Sequence, residues 1–297
     1  MNRLESIIKE NKERDRLMKV FKDHGFIKYE VPYFHKFQDY VCRDGRLALD
    51  QTVKVFSNMG GVHLLRPDVS CMLMEEVSSF YRDPLKLFYD TETFENHEKG
   101  LRTYEKIGGE YYGDSSFQAD LDMIKLGLET LSSFPEHLLV VGNSRYLDSL
   151  LEENVHKDKG SLIRELVRQK QVKSLEDILE TEPLDLGVKE KLLLLAGIDQ
   201  GGLEDLRQGY NTSEMLDALD QVARLSKNLS GRVSFDLSLV SHLDYYHGLI
   251  FKGYLKGQSK PVLKGGRYDK LSHDYGVSLE ALGFSLDFDR IKEVLND

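Results

Sequence analysis

The sequence is poor in cysteine, in long apolar runs and in positive charge. It has two cysteines among its 297 residues, Cys42 and Cys71. Two thiols cannot complete a four-ligand zinc site or build a disulfide scaffold. Both read as buried packing residues. No apolar run approaches the roughly 20 residues of a membrane span. The opening Met-Asn-Arg-Leu-Glu-Ser lacks the apolar core of a signal peptide. A reduced, cytoplasmic protein is therefore expected. Lysine and arginine total 40 against 50 acidic side chains, a formal net charge of -10. That balance argues against a chain whose main task is to wrap nucleic-acid phosphates. A few local charges still suffice to hold a nucleotide. The nine histidines lack metal-ligand spacing: His97, His242, His247 and His273 have no Cys or second His three or four residues on, so no metal is assigned. There is no G-x-x-x-x-G-K-[ST] phosphate loop and no G-x-S-x-G elbow. No cofactor is expected.

What is present has the pattern of a folded core. At about 150 residues per domain, the length suits two domains or one domain with an insertion. Leu4, Ile7, Ile8, Met18 and Phe21 recur at helical spacing, and Gly25 follows as a C-terminal glycine. Phe26 to Tyr33 alternates as a half-buried strand, with Ile27, Tyr29 and Val31 on one side. Pro32 places that strand at an edge or a bulge. Thr52–Ser57 and Val62–Leu65 flank Asn58-Met59-Gly60-Gly61 as a hairpin. Asp68 or Ser70 is a candidate cap for a helix over Cys71 to Val77. Lys86–Phe94 and Tyr104–Tyr112 read as strands joined by the polar segment Glu95–Gly100. Asp120–Leu131 reads as a helix and Leu138–Val141 as a short buried strand. From Ser144 to Ser230 the pieces are Leu-rich and helical. Val233–Val240, Leu249–Tyr254 and Pro261–Lys264 then read as strands, and Phe288–Leu295 as a last helix. The order predicts an α+β domain, 1–144 and 231–297, interrupted by a helical insertion, 145–230. That insertion is a surface for a partner or a cover for its own core.

Several patches are too polar or too glycine-rich for plain framework. Leu243-Asp244-Tyr245-Tyr246-His247-Gly248 sets an acid, two tyrosines and a histidine before an apolar strand. Taken alone, it also fits a turn with packing tyrosines. Lys264-Gly265-Gly266-Arg267-Tyr268-Asp269-Lys270-Leu271 allows a close backbone approach and offers a bidentate arginine. A strand-to-helix turn with a surface arginine would read the same. Gly283 to Arg290 is a weaker third patch.

Together and in order, these patches resemble the class II aminoacyl-tRNA synthetase catalytic fold in its histidyl branch. Arg66-Pro67-Asp68-Val69-Ser70 is similar to that branch's Arg-Pro-Glu-Gly-Thr. Phe94 with Arg102 to Glu110 resembles the second class motif, and Gln118 to Ile124 the acidic helix start that follows it. Leu243 to Tyr246 and Gly265 to Asp269 resemble the two histidine-recognition motifs, and Gly283 to Arg290 the third class motif. The resemblance covers nearly the whole chain. It implies a mixed, mainly antiparallel sheet flanked by helices.

The departures set the expected function. Synthetases carry an arginine for the ATP α-phosphate where this chain has Glu95. Charges about 4 Å apart at an effective dielectric near 20 interact by about 4 kcal/mol, so the reversal turns attraction into repulsion of that size. A second synthetase arginine is replaced by Ser241, which carries no permanent charge. Lys106 stands where a histidine-binding glutamine is usual, while Arg290 is retained. The chain ends at Asp297 without the expected anticodon-binding domain, so no tRNA partner is expected. Such a body is similar to the regulatory subunits of ATP phosphoribosyltransferase. The resemblance implies a non-catalytic partner of the short catalytic subunit, a homodimer within a hetero-oligomer, and histidine as effector. An amino acid needs an anion for its ammonium, from Asp68 or Glu110, with Ser70 beside them. Its carboxylate needs a donor, from Arg267 or Lys106. An imidazole needs the walls offered by Tyr245, Tyr246 and Tyr268. The alternative is an ATP-dependent amino-acid ligase of the histidyl-tRNA synthetase type with a rewired site.

Overall fold

The computed structural model describes residues 2–41, 49–80, 84–197, 203–240 and 246–296. Cys42, Ser241, His242, Asp244 and Tyr245 lie outside them. The chain forms two compact units. One comprises Met1–Leu138, Leu243–Tyr246 and Lys252–Asp297, the other Leu139–His242 and His247–Phe251.

The first unit begins with helix α1 (Arg3–Asp23). The Asn2 side chain accepts the Glu5 N–H while the Glu5 carboxylate accepts the Asn2 N–H, a reciprocal cap. Gly25, at φ +80°, turns the chain out of the helix as expected. The strand expected over Phe26–Tyr33 shrinks to β1 (Ile27–Lys28). Ile27 is 61% exposed, against expectation, and Phe26 is buried in its stead, while Val31 is buried and Lys28 and Glu30 are exposed as expected. The reason lies in the next carbonyls. The buried Arg66 guanidinium donates to Val31 O at 2.6 Å and to Pro32 O at 2.9 Å, so these groups leave the ladder.

After β2 (Phe34–Lys36) and α2 (Phe37–Val41) come β3 (Val53–Phe56) and β4 (Val62–Leu65). They form the expected hairpin within a small sheet of order β2-β4-β3. Helix α3 (Ser70–Phe80) starts where Asp68 Oδ1 accepts the Cys71 N–H at 2.7 Å. Strands β5 (Leu85–His97) and β6 (Gly100–Tyr112) pair as far as His97 and Gly100. Glu95, Asn96 and His97 thus extend β5 instead of forming the expected connection. The outer edge of β5 is satisfied there: Phe94 N–H donates to Arg66 O and Asn96 N–H to Gln51 O. Helix α4 (Phe117–Leu131) follows, capped by Ser116.

The second unit holds most of β7 (His137–Asn143) and the helices α5 (Ser144–Asn154), α6 (Lys157–Arg168), α7 (Val172–Thr181), α8 (Leu186–Ala196), α9 (Leu203–Arg207) and α10 (Ser213–Asn228). Their leucine faces meet in one cluster around Leu147, Leu150, Ile163, Leu192 and Leu219. This unit is larger than the expected 145–230. β7 pairs in parallel with β8 (Val233–Phe235), and Leu237 and Val240 join the same cluster. β8 is shorter than expected because the Asp236 carboxylate accepts the Ser238 N–H at 2.8 Å and turns the chain.

β9 (Leu249–Leu255) leads to β10 (Leu263–Arg267), α11 (Lys270–His273), β11 (Ala281–Asp287) and α12 (Phe288–Asn296). In the first unit the strands run β1-β5-β6-β11-β10, with β1 parallel to β5 and the other pairs antiparallel. This is the expected mixed, mainly antiparallel sheet flanked by helices. One face of it packs Phe88 and Phe284 against Phe21 of α1, with ring centroids 5.6 and 5.5 Å away.

Candidate functional site

The other face of that sheet carries the polar residues, and the strand register explains which. Side chains alternate between faces with period two. One cross-strand row is Leu87, Glu110, Gly283 and Gly266. The next is Tyr89, Gly108, Ser285 and Lys264. A third holds Thr91, Lys106 and Asp287. The glycines let the neighbouring Glu110 and Tyr89 side chains lie across the sheet. A β-carbon on Gly283 would overlap the Glu110 carboxylate, and one on Gly108 would meet the Tyr89 hydroxyl. Above these rows lies a cavity of about 180 Å³.

Glu110 is buried behind the lining residues Ser70 and Tyr89. Tyr268 donates its hydroxyl to Oε2 at 2.6 Å and Ser70 donates to Oε1 at 2.7 Å. Burial nevertheless pushes the Glu110 carboxyl up to about 7, with Asp68 adding repulsion and the two hydroxyls opposing the rise. Asp68, on the loop entering α3, lines the cavity while also capping that helix. Ser70 and Tyr246 line it too, and the Tyr246 ring meets Tyr268 edge-on at 6.3 Å. Lys106 lines the far part, its Nζ 3.3 Å from Asp287 Oδ2. Four residues of strand, about 13 Å, separate Glu110 from Lys106. The cavity thus presents carboxylates, two lysines and aromatic side chains within one space. That complements a zwitterion with a flat polar side chain.

Of the expected residues, Asp68, Ser70, Lys106 and Tyr246 line the cavity, whereas Glu110 and Tyr268 are buried behind that lining, bonded to each other and, through Glu110, to Ser70. Tyr245 lies outside the described residues. Arg267 does not face the cavity. It follows Gly266 on β10, so alternation sends it to the opposite face. There Nε donates to Asp120 Oδ1 at 2.6 Å and Nη2 to Asp114 O at 3.0 Å. It anchors α4 and offers nothing to a ligand's carboxylate.

Sequence reasoning missed Tyr89, Ser285, Asp287 and Lys264 as cavity residues, and noted Glu95 only as a departure. The signal that finds them is alternation outward from glycines: Lys264 and Gly266 share a face, as do Gly283 and Ser285. Burial, then the neighbouring Lys106, lowers the Lys264 ammonium from its ordinary value. Among the described residues, no cluster of three or more His, Cys, Asp or Glu side chains is placed to hold a metal ion. No helix among them is long and apolar enough to cross a membrane.

Comparison with known proteins gives this site a context. The sequence profile of the histidyl-tRNA synthetase family matches residues 4–291. An ATP phosphoribosyltransferase regulatory subunit of Caldanaerobacter subterraneus subsp. tengcongensis is 30% identical over 292 residues, spanning 93% of this chain and 76% of that protein. The chain belongs to the histidyl-tRNA synthetase-like family of ATP phosphoribosyltransferase regulatory subunits. A solved ATP phosphoribosyltransferase regulatory subunit/histidyl-tRNA synthetase from Bacillus halodurans C superposes with a TM-score of 0.87 at 25% identity, covering 98% of this chain and 80% of that one. The ATP phosphoribosyl transferase HisG:HisZ complex of Thermotoga maritima shares the fold, with a TM-score of 0.73 at 20% identity over 94% of this chain and 97% of that one. In this regulatory-subunit chain, Glu95 lines the cavity and faces His97, with Oε2 3.1 Å from Nε2.

Proposed function

We propose that this chain is the non-catalytic regulatory subunit of an ATP phosphoribosyltransferase. It joins a short catalytic subunit in a cytoplasmic hetero-oligomer, activates it, and passes on feedback inhibition by histidine in the first step of histidine biosynthesis. Catalysis belongs to the partner. Glu95 carries this reading. It lines the cavity at the place where the resemblance to synthetases expects an arginine for the ATP α-phosphate. An anion there repels a triphosphate by about 4 kcal/mol at 4 Å and an effective dielectric near 20. The site thereby loses adenylation while its amino-acid half is kept.

Histidine fits that kept half. Its ammonium would face Asp68, and its imidazole would lie along Tyr246, both cavity-lining residues. Its carboxylate points to the lysine end. Binding that favours one assembly over another shifts the population between active and inhibited complexes. The segment around Pro32 supports a homodimer: Tyr33 and Phe34 are 58% and 55% exposed beside the small β2-β4-β3 sheet.

The test on the isolated chain is pyrophosphate exchange. Purified protein is expected to catalyse no histidine-dependent exchange between ATP and pyrophosphate. Clear exchange would support a ligase instead.

A further inference from the structure

The lysine end of the cavity holds an ammonium, that of Lys264, with no ion-pair partner among the described residues. Lys264 projects from β10 onto the site face, in the same cross-strand row as Ser285 and Tyr89. Its side chain lines the cavity. No other described residue gives it a hydrogen bond or an ion pair. The cations around it are already engaged. Lys106 Nζ and Arg290 Nε each lie 3.3 Å from Asp287 Oδ2. Glu95, the other acid in range, faces His97.

The Lys264 side chain still reaches solvent on the site face, so an incoming anion can approach its ammonium, and Lys106 and Arg290 add positive charge beside it that Asp287 and Glu95 offset in part. The anion cannot be held by Arg267, which lies on the opposite face bound to Asp120.

We propose that Lys264 anchors the α-carboxylate of the amino acid whose ammonium faces Asp68. This rests on the histidine-pocket reading above and deepens it, because it names the residue that selects a complete amino acid over an amine or alcohol of the same side chain. A lysine ammonium bonded to a carboxylate makes a charge-assisted contact.

The test is calorimetric titration of the full chain with histidine, with histidinol, which lacks the carboxylate, and with inorganic phosphate. Wild-type protein is expected to bind histidine about tenfold or more tightly than histidinol. Lys264→Met is expected to lose that margin on histidine while leaving histidinol affinity within about twofold. Lys264→Arg, which keeps the charge, is expected to retain most of it. Equal histidine affinity in wild type and Lys264→Met would overturn the anchor alone and leave the pocket standing. Equal loss of histidine and histidinol would also overturn it, since the residue would then act on the fold. Phosphate binding that Lys264→Met abolishes, with histidine untouched, would assign the cation to a phosphate. No histidine binding by the wild type would overturn the pocket reading and the anchor with it.

Discussion

Replacing Glu110 by glutamine gives a pH signature that the structure allows to be worked out. The carboxyl has an ordinary value of 4.5 and is pushed up to about 7 in the folded protein by burial. Below pH 4.5 it is protonated in both the folded and unfolded states, and above about 7 it is ionised in both. Between these values the folded protein keeps a proton that the unfolded chain has lost. The stabilisation relative to high pH is therefore complete below pH 4.5 and disappears as pH rises to about 7. At about 1.4 kcal/mol per pH unit, the total is about 3 kcal/mol. Glu110→Gln has no charge to bury, so it escapes this penalty. It loses one acceptor for the Ser70 or Tyr268 hydroxyl, which costs about 1 kcal/mol. The variant is thus expected to be about 1 kcal/mol less stable than wild type at pH 4.5 and about 2 kcal/mol more stable at pH 8. Urea melts at several pH values measure both, and the readout is the difference between the two proteins. A difference that stays constant from pH 4.5 to 8 would refute the placement of a buried, proton-holding carboxyl behind the cavity lining.

Three other substitutions separate binding from framework. Arg267→Leu breaks the buried Arg267–Asp120 ion pair, so a loss of about 3–5 kcal/mol in urea melts is expected. Histidine affinity of the folded variant should stay within about twofold, and a tenfold loss would return Arg267 to the site. Asp68→Ala should weaken histidine binding by about tenfold in calorimetry, through loss of a charge-assisted contact, and cost about 1 kcal/mol from the lost bond to the Cys71 N–H. Unchanged affinity would place the effector elsewhere, such as a subunit interface. Gly283→Ala drives a methyl group into the Glu110 carboxylate, so about 1–3 kcal/mol of stability and most histidine binding should be lost together.

Local signals in the sequence carried much of this fold. The helical spacing of Leu4 to Phe21, the glycine at 25 and the Asn-Met-Gly-Gly turn each act within a few residues, and each element formed as read. The leucine-rich stretch after Ser144 was legible for the same reason, since its helices bury their own faces. What failed depended on distant groups. The strand after Phe26 is cut short by the guanidinium of Arg66, more than thirty positions away in sequence. Glu95 to His97 stay in β5 because Gln51 and Arg66 satisfy its edge. The candidate site shows the same division. Asp68, Ser70, Lys106 and Glu110 were visible as charged or hydroxyl groups within recognisable motifs. Arg267 was misplaced and Lys264 overlooked because a motif says which residues are neighbours, whereas the face each one takes depends on the β10–β11 register.

The central claim is that this chain acts on a partner's catalysis. The most direct measurement is the rate of the short ATP phosphoribosyltransferase catalytic subunit with ATP and phosphoribosyl pyrophosphate, alone, with this chain, and with this chain plus histidine. The account predicts that the chain raises the rate and that histidine lowers it again, with the second effect weakened by Asp68→Ala. A catalytic subunit neither bound nor activated by the chain would contradict it.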